Sequence, residues 1–138
     1  MAVLALLTAG VLIAVGALHV LWVFSPWPLR SREEFARRVV DVPPEKLPSP
    51  GLTLAVAVLL GLAGYLVAGR ADLVGVPGPA WLPVVGTAGV AAVFLLRGAG
   101  GLVASSRKST EFARLDLRFY SPLCLALATS CAVLAFGG

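Results

Sequence analysis

The stretch AVLALLTAGVLIAVGALHVLWVF, residues 2–24, contains no Asp, Glu, Lys or Arg. An α-helix needs about 20 consecutive apolar residues to cross the hydrocarbon core of a bilayer, so this stretch is long enough to span a membrane. It also lacks the alternation of apolar and polar residues that is typical of a half-buried strand. The stretch therefore predicts a transmembrane helix.

Three further apolar segments follow, and most of the charges lie in the gaps between segments. We predict helices over residues 52–69, 81–103 and 117–136. The 138 residues are 59% hydrophobic and 13% charged, which is unlike a soluble domain. Because backbone polar groups in a bilayer must pair within the protein, we predict an all-α fold. It is an integral membrane four-helix bundle, one transmembrane domain over residues 1–138.

The positive charges predict how the bundle is oriented. Every Lys and Arg except Arg70 lies within residues 25–51 or 97–118. Since basic residues accumulate in cytoplasmic loops, we expect these segments on the cytoplasmic side of the inner membrane and both termini outside. The net charge of +4 reflects this asymmetry, so it indicates a lipid bilayer as partner and no nucleic acid.

Both charged segments contain the tetrapeptide Glu-Phe-Ala-Arg, at residues 34–37 and 111–114. Ser31 followed by Glu34 fits a capping box, which marks the start of a helix. We therefore expect short amphipathic cytoplasmic loop helices, with Phe35 facing the membrane. The repeated tetrapeptide leaves two alternatives open, an old duplication of a two-helix unit or a chance match.

Five ionisable or aromatic residues fall at one predicted depth, near the cytoplasmic leaflet: His19, Trp22, Arg97, Asp116 and Tyr120. An ionisable residue within a membrane segment is a functional candidate. Grouped around an apolar cavity, these side chains would suit proton chemistry on a lipid-like substrate. Each also has a structural alternative: a backbone hydrogen bond for the histidine, lipid phosphates or an ion pair for the charged residues, and interfacial anchoring for the rings.

Several function classes lack their sequence signatures. No G-x-x-x-x-G-K-S/T or H-E-x-x-H motif occurs, and one His with two distant Cys does not make an ordinary zinc site. No Asp-rich box is present to hold Mg²⁺ and a diphosphate, and no G-x-S-x-G elbow occurs. We therefore predict no metal site and no cofactor.

The run Glu111–Asp116, followed by Phe119-Tyr120-Ser121-Pro122-Leu123-Cys124, resembles a bacterial family of small four-helix membrane proteins of unknown function. His19-x-x-Trp22 and Arg97-Gly98 extend the resemblance over nearly the whole chain. Some members of that family resemble the membrane-bound terpene cyclases of bacterial indole-sesquiterpenoid pathways. That resemblance implies cyclisation of a prenyl chain, started by protonation of an alkene or of a terminal epoxide.

The resemblance implies roles that the chemistry of the residues can fill. Asp116 is the first choice for the Brønsted acid, because it lies nearest the membrane, and Glu34 and Glu111 are alternatives. An arginine beside Asp116 would stabilise its ionised form, so a different carboxyl must be the acid if the two pair. His19 would take the final proton or orient the acid. The substrate would be bound by Trp22, Arg97, Phe119 and Tyr120, and the three aromatic rings among them would stabilise developing cations.

Three function hypotheses remain open. A cyclase or isomerase predicts a polar cluster around an enclosed apolar pocket, with a hydrophobic prenylated small molecule as partner. A small transporter subunit predicts a polar path through the outer half of the bundle. A structural or regulatory membrane protein predicts salt bridges at the cluster and no cavity. The sequence leaves the oligomeric state open.

Overall fold

A computed structural model describes residues 1–137, in which every regular element is a helix. The long helices are α1 (Ala2–Phe24), α3 (Pro50–Arg70), α4 (Trp81–Ser105) and α6 (Ser121–Phe136). Four helices are long and apolar enough to cross a membrane, the last of them counted continuously from Glu111 to Phe136. The predicted all-helical bundle is confirmed, and the chain has the character of a multi-pass membrane protein.

Shorter elements lie between the long helices. After α1 come α2 (Arg32–Phe35), a π-helix (Ala36–Val40) and a 3-10 turn (Pro44–Lys46). After α4 come α5 (Glu111–Leu115) and a second π-helix (Asp116–Tyr120), which runs directly into α6. We call the end of the bundle that carries residues 25–49 and 106–120 the charged end.

Side-chain caps explain where the short helices begin. The Ser31 hydroxyl accepts a hydrogen bond from the Glu34 backbone N–H, and the Thr110 hydroxyl accepts one from the Ala113 N–H. These bonds satisfy backbone donors that have no partner in the first turn of a helix. The Glu34 carboxylate accepts from the Arg30 N–H rather than from Ser31, so the predicted capping box is shifted by one residue.

The long helices pack as two hairpins. α1 packs mainly on α3 and α4 mainly on α6, while α3 with α4 and α1 with α6 join the hairpins into one bundle. Small residues allow close approach: a Cβ added to Gly64 would lie 2.9 Å from Cγ1 of Ile13. The core is made of small and aliphatic side chains together with one cysteine: Ala5, Ala9, Leu12, Ala63, Val67, Ala91, Leu127, Cys131 and Leu134.

The outside of the bundle is apolar along its length. Large side chains point away from the core, among them Leu59, 64% exposed, and Leu96, 74% exposed. A soluble monomer rarely leaves such a continuous apolar surface open to water. The exposed leucines therefore agree with a bundle whose sides face lipid.

The largest difference from the sequence-based helix bounds is at the last helix. We predict residues 117–136 as helical, whereas the helical path begins at Glu111, because the Thr110 cap starts α5 and the π-helix continues it. Asp116 lies inside this path, at a depth where its charge needs partners.

Candidate functional site

Asp116 is buried between α4 and α6 and is only 1% exposed. Its Oδ1 accepts hydrogen bonds from Nη2 of Arg97 at 3.0 Å and from the Ser121 hydroxyl at 2.8 Å. Its Oδ2 accepts from the Ser105 hydroxyl at 2.5 Å. We call these four residues, Asp116, Arg97, Ser105 and Ser121, the Asp116 clasp. The clasp connects the end of α4 to the start of α6 and satisfies both carboxylate oxygens.

The π-helix brings two members of the clasp together. Asp116 and Ser121 are five residues apart, and a π-helix, with its i to i+5 hydrogen bonds, places such residues above one another. Gly101 on α4 is the other requirement, since a Cβ there would overlap the Ser121 hydroxyl and the Arg97 guanidinium. A side chain at this position is therefore incompatible with the clasp as it stands.

The clasp has the arrangement of a structural ion pair. The sequence predicts Asp116 as the first choice for the acid. If Asp116 pairs with Arg97, however, a different carboxyl is expected to be the acid. The pair is present, and both oxygens of Asp116 are occupied by donors within the protein. A catalytic role for Asp116 stays a prediction, but the geometry favours the structural alternative.

His19 lies in the first hairpin, among aromatic rings. Its Nδ1 is 2.8 Å from the carbonyl oxygen of Val15, one turn earlier in α1. The centroids of the His19 and Trp22 rings are 4.8 Å apart, and Phe35 packs edge-on against Trp22 at 4.8 Å. The indole N–H of Trp22 donates to the carbonyl of Trp27 at 2.9 Å. The sequence predicts that Phe35 faces the membrane, whereas it packs on Trp22.

These rings line a cavity of about 200 Å³, which we call the His19 pocket. α1 supplies His19 and Trp22, and the segment after α1 supplies Phe35 and aliphatic side chains. The start of α3 supplies Thr53 and further apolar side chains. The pocket is apolar apart from the histidine and the threonine, whose hydroxyl is engaged with the Ser49 carbonyl.

The hydrogen bond to Val15 fixes the tautomer of His19. A carbonyl oxygen only accepts, so Nδ1 carries the hydrogen and Nε2 of the neutral ring keeps an unshared electron pair. Within residues 1–137, Nε2 has no protein hydrogen-bond partner. His19 thus offers a hydrogen-bond acceptor or a base at an otherwise apolar cavity.

The two alternative acids are also paired with arginines. Glu34 accepts from the Arg30 N–H at 3.2 Å and from Nη1 of Arg38 at 2.9 Å. These hydrogen bonds, the backbone one first, hold the pKa of Glu34 below its ordinary value. Glu111 lies 2.8 Å from Nε of Arg37 and 2.8 Å from Nε of Arg38. Both carboxylates are therefore ion-paired with arginine.

The remaining predicted residues lie apart from the His19 pocket. The Tyr120 hydroxyl donates to the carbonyl of Arg38 at 3.1 Å, and its ring lies 5.8 Å from that of Phe112. Phe119 is 54% exposed on the outside of the bundle, with the Arg118 guanidinium 5.5 Å from its ring centroid. A role for Phe119 in binding substrate would need a site on this outer surface.

A second cavity, of about 250 Å³, lies at the opposite end of the bundle, between Gly69 and Val84. None of the predicted site residues lines it. Arg70, at its edge, donates from Nη2 to the carbonyl of Ala135 at 3.2 Å, so the guanidinium caps the end of α6. Within the described part of the chain, no group of three or more His, Cys, Asp or Glu side chains is placed to hold a metal ion.

Comparison with known families places the chain by sequence. A family model described as "Protein of unknown function (DUF3995)" matches residues 12–131. The chain belongs to the DUF3995 family. The predicted membership of a family of unknown function is thereby confirmed, but no curated protein and no solved structure matches the chain. Nothing in these comparisons links this DUF3995 chain to terpene cyclases, so that resemblance stays a prediction.

The DUF3995 match covers both the His19 pocket and the Asp116 clasp, including members that sequence reasoning missed. Ser105 and Ser121 were missed because a serine in a helix carries no signal until its acidic partner is placed beside it. Val39 and Val40 lie in a π-helix whose position beside α1 has no sequence motif, so the sequence did not place them at a site. The capped Glu-Phe-Ala-Arg segment was the one available signal for this part of the pocket.

Proposed function

We propose that this DUF3995 protein is a membrane-embedded cyclase or isomerase of an isoprenoid-like, sesquiterpenyl-type molecule, which binds in the His19 pocket. The observation that carries the proposal is an apolar cavity with two aromatic rings and a histidine Nε2 that has no protein partner. Ligand pockets of this kind are mostly apolar with few polar groups, and those groups orient the ligand. The cavity of about 200 Å³ suits one end of such a chain, with the rest extending into lipid.

His19 is the base in this proposal. With Nδ1 donating to Val15, Nε2 accepts a proton from a carbon next to a cationic centre, and the electrons of that C–H bond form the new double bond. The faces of Trp22 and Phe35 stabilise positive charge near the ring. The aliphatic wall keeps water away from a reactive cation.

The pairing of the carboxylates bears on how the reaction begins. Asp116, Glu34 and Glu111 each have an arginine partner, so none lies ready as a strong acid beside the pocket. Protonation of an alkene needs a stronger acid than the opening of an epoxide does. A terminal epoxide is therefore the substrate form that we favour over the simple alkene. In this proposal Nε2–H of protonated His19 donates the proton that opens the epoxide, and the neutral ring then takes a proton from carbon, so that no net proton is gained or lost.

We also propose that the charged end faces the cytoplasm across the inner membrane, with both termini outside. The support is the distribution of charge, since all basic residues except Arg70 lie in or next to the charged end. In this orientation the His19 pocket opens near the cytoplasmic leaflet, where a prenylated product of soluble enzymes would arrive.

The test is a conversion assay. Membranes that carry the protein are incubated with farnesyl-indole and with its terminal epoxide, and products are separated by chromatography and mass spectrometry. We expect a product of unchanged mass and new retention, lost in His19→Phe and reduced in Trp22→Ala. Trp81→Ala, at the opposite end of the bundle, is the matched control and keeps activity. If neither substrate is converted by correctly folded protein, the enzymatic proposal fails.

A second candidate is a structural or regulatory membrane protein without enzymatic activity. It is favoured by the fact that the three predicted carboxylic acids are all ion-paired with arginine. Under this alternative, His19→Phe abolishes no activity, whereas substitutions in the Asp116 clasp lower the stability of the folded bundle. Absence of conversion together with that pattern would favour this candidate.

A further inference from the structure

One wall of the His19 pocket comes from residues 32–41, which belong to none of the long helices. Phe35, Val39 and Val40 of this segment face His19 and Trp22 across the cavity. Non-helical chain lies on both sides of the segment, before Ser31 and after Val40. One side of the pocket is thus closed by a short element that is connected to the bundle through loops.

The covering segment is held from the other hairpin. Glu111 forms ion pairs with Arg37 and Arg38, each at 2.8 Å. The Tyr120 hydroxyl donates to the carbonyl of Arg38 at 3.1 Å. Asp41 lies 3.6 Å from Nζ of Lys108. All of these contacts join the segment after α4 to the segment after α1.

We propose that residues 32–41 are a lid on the His19 pocket and that Glu111 and Tyr120 are positioning residues that latch it closed. Opening of the lid admits an apolar, lipid-like molecule from the leaflet at the charged end. The identity of that molecule rests on the proposed function, whereas the lid and its latch rest on the contacts alone.

The strength of the latch suits an element that opens. The side chain of Arg37 is 60% exposed and that of Glu111 is 30% exposed, and ion pairs so open to solvent are weak and are screened by salt. Asp41, where the lid ends, has a φ of 66°, in the left-handed region that aspartate tolerates better than most side chains. The π-helix thus ends at this residue, and residues 41–43 are non-helical.

The Asp116 clasp differs from the latch in how far its groups are exposed to solvent. It closes the second hairpin with a carboxylate that is 1% exposed and has three hydrogen bonds. The latch joins the two hairpins with pairs whose side chains are 30–60% exposed. A merely structural link between hairpins would need no cavity beneath it, whereas the lid covers one.

Labelling of the pocket floor tests the lid. The native thiols are removed with Cys124→Ala and Cys131→Ala, and Thr53→Cys places a thiol in the pocket. The reaction rate with a maleimide is then compared with and without Glu111→Gln. Loss of a partly exposed ion pair predicts a rate that rises by roughly threefold or more. Tyr120→Phe, which removes one hydrogen bond, is a second variant with the same expected direction.

Three controls separate a latch from a general loosening of the fold. Glu33→Gln changes a lid carboxylate that has no ion pair in the described part of the chain, and leaves the rate unchanged. Leu54→Cys places the thiol on a side chain that is already 47% exposed, and its rate does not respond to Glu111→Gln. The conservative change Glu111→Asp keeps the carboxylate and labels Thr53→Cys more slowly than Glu111→Gln does.

Salt provides an independent readout. While Glu111 is present, the labelling rate of Thr53→Cys rises with ionic strength, because salt screens the ion pairs of Glu111. In Glu111→Gln these pairs are absent, so the labelling rate depends less on salt. Equal labelling rates for Glu111→Gln, Tyr120→Phe and the parent overturn the lid. The assay needs no ligand, so faster labelling without any substrate conversion retains the lid and removes the proposed function. Conversion that depends on His19, with unchanged labelling, does the reverse.

Discussion

Replacement of Gly101 by alanine tests the Asp116 clasp with one added carbon. The Cβ would overlap the Ser121 hydroxyl and the Arg97 guanidinium and would lie 2.9 Å from Oδ2 of Asp116. Real Cβ atoms do not approach heavy atoms so closely, so α4 and α6 must separate or the clasp must open. The neighbouring Gly100 has no atom within 4 Å of an added Cβ and provides a matched control on the same helix.

The magnitude follows from two opposing contributions. An extra methyl group in a packed site typically costs about 1–3 kcal/mol, and each hydrogen bond that the shift breaks costs about 1 kcal/mol more. Alanine gains up to about 1 kcal/mol over glycine in a helix interior, and this gain applies equally to Gly100. We therefore expect Gly101→Ala to be less stable than Gly100→Ala by about 2–4 kcal/mol.

The assay is reversible unfolding of the purified protein in mixed micelles, with helicity or tryptophan fluorescence as the readout. Ser121→Ala removes one of the overlapping oxygens, so it should soften the effect of Gly101→Ala in a double-mutant cycle. Equal unfolding free energies for Gly101→Ala and Gly100→Ala would refute the packing that we assign to the clasp.

Three other predictions concern stability. Asp116→Asn should destabilise the bundle by about 1–3 kcal/mol, because a buried amide cannot accept all the hydrogen bonds that the carboxylate accepts; an unchanged unfolding midpoint would contradict this. Hydrogen bonds from the Arg30 backbone N–H and then from Arg38 lower the pKa of Glu34 from its ordinary value of 4.5. Their contribution to stability is therefore present above that pH and is lost as the pH falls through the lowered pKa. The loss of unfolding free energy between neutral and acidic pH should therefore be smaller in Glu34→Gln than in the parent. Gly64→Ala should destabilise by about 1 kcal/mol where Gly61→Ala does not, since an added Cβ meets Ile13 at 2.9 Å in the first case and nothing within 4 Å in the second; thermal melts of both variants decide it.

The sequence was sufficient for the long helices because each depends on a local property, the length of an apolar run. It was insufficient at the start of the last helix. There, Leu115 to Tyr120 contains charged residues that a hydropathy argument excludes from a membrane helix. The helix nevertheless begins at Glu111, since Arg97 and two hydroxyls provide partners for Asp116. Hydrogen-bond partners that lie on another helix cannot be inferred from the sequence of this segment alone.

The candidate site shows a second limit of the sequence-based prediction. His19, Trp22, Arg97 and Asp116 were grouped because they lie at one depth in the predicted membrane. Depth gives the height of a residue but not its position around the bundle. In the structure His19 and Trp22 belong to the first hairpin, whereas Arg97 and Asp116 join α4 to the start of α6. One predicted cluster is therefore two separate groups with different contacts.

The two hairpins have the same order of elements, and the difference between them indicates where the functional residues lie. Each has a long helix, a segment with Glu-Phe-Ala-Arg in which a short capped α-helix runs into a π-helix, and a second long helix. This is the order that a duplicated two-helix unit predicts. In the second hairpin, the π-helix supplies Asp116, which fills the space beside α4. In the first hairpin, the π-helix supplies Val39 and Val40. Aliphatic side chains there make no ion pair with α1, so a cavity remains beside His19. If the second half is the closed, structural copy, substitutions that abolish function without loss of stability should concentrate around His19.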